Sequence, residues 1–142
     1  MGLDNGIIIK GKNEFAKSYL EEHFSYLKEY SDAYEFGYWR KCYNIRKRFI
    51  DTFNYDYEKG EIRFTIKDIP KIIEVLKYFL NEDNWIMGNA FNNGSCVFGW
   101  VEELPSIASA IRDLAFFYND GYYGDEIELT DEDFEIYFYD SY

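Results

Sequence analysis

The chain is poor in the residues that carry catalysis and covalent bracing. It has one histidine, His23, and two cysteines, Cys42 and Cys96. Isolated cysteines with no C-x-x-C spacing exclude a disulfide framework and fit reduced thiols in a host cytoplasm. Two prolines are too few for a linker-rich chain. No apolar run approaches the roughly 18 residues of a membrane-spanning helix. Met1-Gly2-Leu3-Asp4 lacks the form of a signal peptide, and Gly6 stands where a myristoylation motif wants Ser or Thr. Basic residues are also scarce, 15 against 27 carboxylates, for a net charge of −12. Bulk electrostatics of that sign repel nucleic acid and anionic membranes and attract basic partners.

Aromatic residues are abundant, at 22% of the chain with fifteen tyrosines. The core is therefore built largely from rings, and tyrosine hydroxyls must reach the surface, where tyrosine is the material of recognition patches. At 142 residues the chain is long enough for one domain, spanning 1–142, that buries about two-thirds of its unfolded surface.

Ile7-Ile8-Ile9, bounded by glycines, reads as a buried strand. Asn13 caps a helix with Phe15, Tyr19, Leu20, Phe24, Leu27 and Tyr30 inward and His23 half-buried at the edge of that stripe. Tyr38–Phe49 reads as a second helix, and it carries a third of the basic residues. Tyr38, Cys42, Ile45 and Phe49 form its apolar stripe, widened by Trp39 and Ile50. Arg46 falls inside that arc and must pair with a carboxylate, Asp4 or another acid of the strand layer, because an unpaired buried charge is costly. Glu61–Ile66 alternates as a strand, and Asp68 caps a helix over Ile69–Leu80 with Ile69, Ile72, Ile73, Leu76, Phe79 and Leu80 inward. Trp85-Ile86-Met87 and Cys96-Val97-Phe98 are short strand candidates. Glu102-Glu103-Leu104-Pro105 opens the last helix, with Ile107, Ile111, Leu114 and Tyr118 inward. Phe134–Tyr139 alternates as a closing strand with Phe134, Ile136 and Phe138 on one face. The expected fold is α+β, a small, mainly antiparallel sheet with about four packed helices.

Cofactor and metal signals are missing. The Gly88–Ser95 loop matches neither the dinucleotide fingerprint nor a P-loop. Asp131, Asp133 and Glu135 begin like a calcium loop, but Ile136 stands where glycine is required. Cys42 beside Lys41 is the one nucleophile with a basic neighbour, and it faces inward with the apolar stripe, so neither catalytic residues nor a cofactor are expected.

Charge asymmetry is the most informative surface feature. No Lys or Arg follows Arg112, while ten carboxylates do. Asp125, Glu126, Glu128, Asp133 and Glu135, with Tyr137 and Tyr139, form a candidate partner-binding surface on a C-terminal hairpin. Its partner would be the basic surface of a host protein, without direct nucleic-acid or membrane contact. The alternatives are a small enzyme or ligand-binding domain with a pocket around Trp39, Arg46, Asn92 and Asn93, and a self-associating structural protein.

The start Met1-Gly2-Leu3-Asp4, the segment Tyr38-Trp39-Arg40-Lys41 with Ile45 and Phe49, and the aromatic end Tyr137-Phe138-Tyr139-Asp140-Ser141-Tyr142 together resemble a family of small, uncharacterised bacteriophage and prophage proteins. The family pattern has a histidine and a tryptophan where this chain has Arg46 and Arg48. The resemblance implies an α+β domain from a mobile element, but no activity. With the acidic surface it leads to the expectation of a non-catalytic accessory protein that binds and inhibits a host nucleic-acid-handling or defence protein.

Overall fold

The computed structural model describes residues 4–30, 32–40, 42–86, 99–123 and 129–141, with the backbone alone for 120–123 and 141. The architecture is α+β. Five strands, β1 (Asp4–Gly11), β2 (Lys28–Tyr30), β3 (Ala33–Arg40), β4 (Glu61–Phe64) and β5 (Phe134–Ser141), form one sheet in the order β2-β3-β1-β5-β4, and every pairing is antiparallel. Four longer helices accompany it among the described residues, α1 (Glu14–Phe24), α2 (Tyr43–Thr52), α3 (Ile69–Tyr78) and α4 (Trp100–Tyr123), with a further short helical segment at 82–86.

The triple-isoleucine strand forms as expected and takes the centre of the sheet, paired with β3 on one side and β5 on the other. The closing strand is equally integral. Phe134, Ile136 and Phe138 are buried on the helix side, where Phe138 stacks on Phe49 of α2 at 4.6 Å and Phe134 meets Phe117 of α4 edge-on at 5.0 Å. Full burial of such a ring contributes about 1.5–3 kcal/mol.

The expected helix over Tyr38–Phe49 is corrected. Tyr38, Trp39 and Arg40 belong to β3, and α2 begins only at Tyr43. The 4-3-4 spacing of Tyr38, Cys42, Ile45 and Phe49 runs across a strand–helix junction. What governs the first half is the aromatic, β-favouring run from Tyr34 to Trp39. Period-2 alternation is hidden there by a bulge. Ile7 pairs with Gly37 and Ile8 with Glu35, which leaves Phe36 as the extra residue of β3. The bulge lets Tyr34, Phe36 and Trp39 all enter the core.

Smaller differences follow similar lines. Asn13 does cap α1, its Oδ1 accepting from Ala16 N at 2.8 Å, but α1 stops at Phe24. Tyr30 therefore sits on edge strand β2 and is exposed, as are Phe15 and His23. Asp68 does not cap α3 with its side chain. It closes a reciprocal capping box with Thr65 around a 3-10 turn, Ile66–Asp68. On α3, Val75 is buried in place of Leu80, which is exposed. Residues 82–86 are helical, so Trp85-Ile86 is not a strand, while Met87 and the Cys96–Phe98 candidate lie outside the described residues.

Candidate functional site

The sheet has two unlike faces. One is backed by the helices and holds the core, with Ile7, Ile9, Trp39, Ile62, Phe64, Ile136 and Phe138 among its residues. On the other face, register sets out a small grid of side chains. Gly6 lies between Tyr38 and Tyr139, and Ile8 lies between Glu35 and Tyr137. Glu29 and Tyr30 of β2 extend it to the sheet edge, and together these side chains line a cavity of about 640 Å³. Every lining residue comes from a strand, so among the described residues no helix covers this face.

Gly6 makes the arrangement possible. A Cβ there would lie 2.5 Å from the Gly37 carbonyl oxygen and 2.9 Å from the Tyr139 ring. The missing side chain lets Tyr139 lie close over β1 and donate its hydroxyl to Glu35 Oε2 at 3.3 Å. Gly37 plays the same part on the core face, where the indole of Trp39 occupies the space of its absent Cβ.

Electrostatics mark Glu35 as the unusual group. Burial and then the charge of Glu29, with a lesser part from Asp4, push its carboxyl up to about 7, against the opposing effect of the Tyr139 hydrogen bond. Tyr139 is pushed up as well, by burial and then by Glu35, so its hydroxyl stays protonated and remains a donor. Tyr38 is raised by burial and by its hydrogen bond to Asp4. None of the described ion pairs includes Asp4, Glu29 or Glu35.

The residues singled out from the sequence divide among several places. Tyr137 and Tyr139 stand on the open face. Glu135 is beside them but is bridged by Arg63, which also grips Glu61. Asp133 serves a turn: its Oδ1 accepts from Asn13 Nδ2 at 2.8 Å and its Oδ2 from the Thr130 hydroxyl at 2.8 Å. Asp125, Glu126 and Glu128 lie outside the described residues, as do Asn92 and Asn93.

Trp39 and Arg46 occur at the opposite, helix-backed face. There Trp39, Asn5 and Asp140 stand in one row across β3, β1 and β5. Arg46 does pair with an acid of the strand layer, but the acid is Asp140 rather than Asp4. Arg46 Nε and the Tyr55 hydroxyl both donate to Asp140 Oδ2 at 2.6 Å. The guanidinium thus neutralises a carboxylate whose side chain is 0% exposed. Cys42 is buried, as its inward position implied.

Glu35, Glu29, Tyr30 and Tyr38 were missed by sequence reasoning. Their signal was the alternation of Tyr34, Glu35 and Phe36, masked beyond Phe36 by the bulge. Among the described residues no cluster of His, Cys, Asp and Glu is suited to hold a metal ion, and no helix is long and apolar enough to cross a membrane. Compared with protein-family models, with curated proteins and with solved structures, the chain matches none.

Proposed function

We propose that the protein is a non-catalytic binding protein whose open sheet face docks on a basic surface of another protein. The observation that carries this reading is the uncovered face itself. It presents four tyrosine rings around Glu29 and Glu35, which none of the described ion pairs includes. Tyrosine supplies contact area at low entropic cost, and the net charge of −12 steers a basic partner toward it. Tyr137 and Tyr139 stay in the docking surface, while its charge comes from Glu29, Glu35 and Asp4 more than from Asp133 and Glu135, which are already engaged. In the setting that the resemblance to phage and prophage proteins implies, the partner is a host nucleic-acid-handling or defence protein. Such a protein carries a basic groove built for phosphates, and occupying that groove inhibits it.

The test is amide-resolved NMR titration with a short lysine- and arginine-rich peptide. Shift changes are expected to concentrate on β1, β2, β3 and β5 and to weaken as salt rises through the screening range. Tyr139→Ala is expected to speed dissociation more than it slows association. Changes spread evenly over all acidic surfaces, or confined to the helices, would refute the docking face.

A further inference from the structure

We propose that the cavity between Tyr30, Tyr38, Tyr137 and Tyr139 receives one organic cation, the ammonium or guanidinium head of a lysine or arginine side chain of the partner, with Glu35 as its counter-ion. This rests on the docking reading and assigns the contact at its centre.

The cavity, at about 640 Å³, is in the size range of specific ligand sites. Its floor is apolar, Ile8 being 3% exposed, and its walls are phenol rings whose electron-rich faces attract cations. The fold already uses this contact elsewhere. Arg48 lies 3.8 Å from the Tyr78 ring centre, and Arg63 and Lys10 lie 4.7 and 5.6 Å from that of Tyr137. Those two cations engage the Tyr137 side of the cavity, where Lys10 also feels Tyr30, which leaves Tyr38 and Tyr139 to meet an incoming group first.

Charge then selects the sign of the occupant. The groups facing Glu35 are Asp4 from β1, Glu29 from β2 and Tyr139 from β5. Lys10, Arg63, Glu61 and Glu135 sit together beyond Tyr137, and Arg40 acts on Tyr38 at the other rim. The centre is therefore a set of three carboxyl groups without an ion-pair partner among the described residues. The Oδ1 of Asp4 is also shielded from solvent and accepts no hydrogen bond from the described residues. An anion would be repelled, and a neutral apolar group would leave these carboxyls unanswered. A cation answers them, and it replaces the proton that Glu35 holds for half the time near neutrality. On binding, the Glu35 carboxyl releases that proton to solvent, and the carboxylate pairs with the incoming head group. Tyr30 and Tyr38, 60% and 40% exposed, continue the aromatic surface outward to meet the chain that carries the side chain.

The experiment titrates the full chain at low salt with Nα-acetyl-lysine methylamide, its arginine counterpart and, as the uncharged control, its norleucine counterpart, at pH 6, 7 and 8. Heats and side-chain resonances of Glu35 and Tyr139 are followed. Both cationic probes are expected to bind and the norleucine probe is not, with affinity rising roughly tenfold from pH 6 to pH 8 as Glu35 ionises. Glu35→Gln should abolish that pH dependence and weaken binding at pH 8, whereas Tyr38→Leu should weaken it several-fold with the slope retained. Equal binding of the norleucine probe, a flat pH profile or full affinity in Glu35→Gln would overturn the assignment. So would binding of tetramethylammonium with neither cationic amino-acid probe. A lysine-rich peptide run in parallel separates the two levels. If it perturbs the open face while the single-residue probes do not bind, the cavity assignment falls and the docking face stands. If it also leaves that face unperturbed, both fall.

Discussion

Replacing Arg46 by methionine tests how the helix-backed face is held together. The side chain of Asp140 is 0% exposed and that of Arg46 22%, so the pair is largely out of water. Asp140 Oδ2 keeps the Tyr55 hydroxyl at 2.6 Å when Arg46 is removed, but loses the positive charge, and Oδ1 has no hydrogen-bond partner among the described residues to compensate. Breaking a buried pair from one side costs about 3–5 kcal/mol. The residual exposure of Arg46 and the Tyr55 hydroxyl place the expected loss at the lower end, about 3 kcal/mol. For a domain whose total stability is about 5–15 kcal/mol, that is a large fraction. Asp140→Asn in the same background should recover about half or more of it, because the amide needs no counter-charge. Urea unfolding followed by tryptophan fluorescence reads both numbers, since Trp39 is 0% exposed in the native state. A loss below about 1 kcal/mol for Arg46→Met, or additive losses in the double variant, would refute the pairing argument.

Glu35 links stability to pH. Its folded value of about 7 lies above its unfolded value, so the folded state holds the extra proton between them. The contribution is full below about 4.5 and is lost as pH rises through about 7. Discounted for its partial exposure, it amounts to about 1–2 kcal/mol, and it should be missing from Glu35→Gln in thermal melts at pH 5 and pH 8. Deleting residues 133–142 should abolish cooperative folding, because β5 joins β1 to β4 and buries Phe134, Ile136 and Phe138. A truncated chain that melts near the full-length temperature would contradict that.

Much of the fold was legible where one element obeys one periodicity. Ile7-Ile8-Ile9 between glycines, the alternation of Phe134 to Tyr139 and the 3-4 spacing along α3 each state their structure locally. Segment 33–42 was not legible for a physical reason: a bulge at Phe36 breaks the alternation, and the residues after it continue by chance into the spacing of α2. The candidate site shows the same limit. Tyr137 and Tyr139 lie on a strand that reads correctly, so they were found. Glu35 gains its character from burial and from Glu29 and Asp4, with Tyr139 as its hydrogen-bond donor, and three other strands bring those groups to it. Arg46 was recognised as needing an acid because its own helix showed the need. The identity of that acid depended on strand register, which no local pattern contains.

The strand order has a consequence for how the protein is made. Ile7 pairs with Phe138, a separation of 138 − 7 = 131 residues. At roughly 5–20 residues per second, the ribosome delivers β5 about 7–26 s after β1. β3 follows β1 closely, so half of the sheet can assemble early beneath α1. Among the five strands β4 neighbours β5 alone, and it must wait for it. Until then β1 offers an unpaired hydrogen-bonding edge beside three isoleucines, a surface to which another nascent chain can add. Of these five strands, the last to be synthesised is thus the one that seals the sheet. The interval before its arrival, rather than the finished molecule, is when this protein is most exposed to aggregation and most in need of a chaperone.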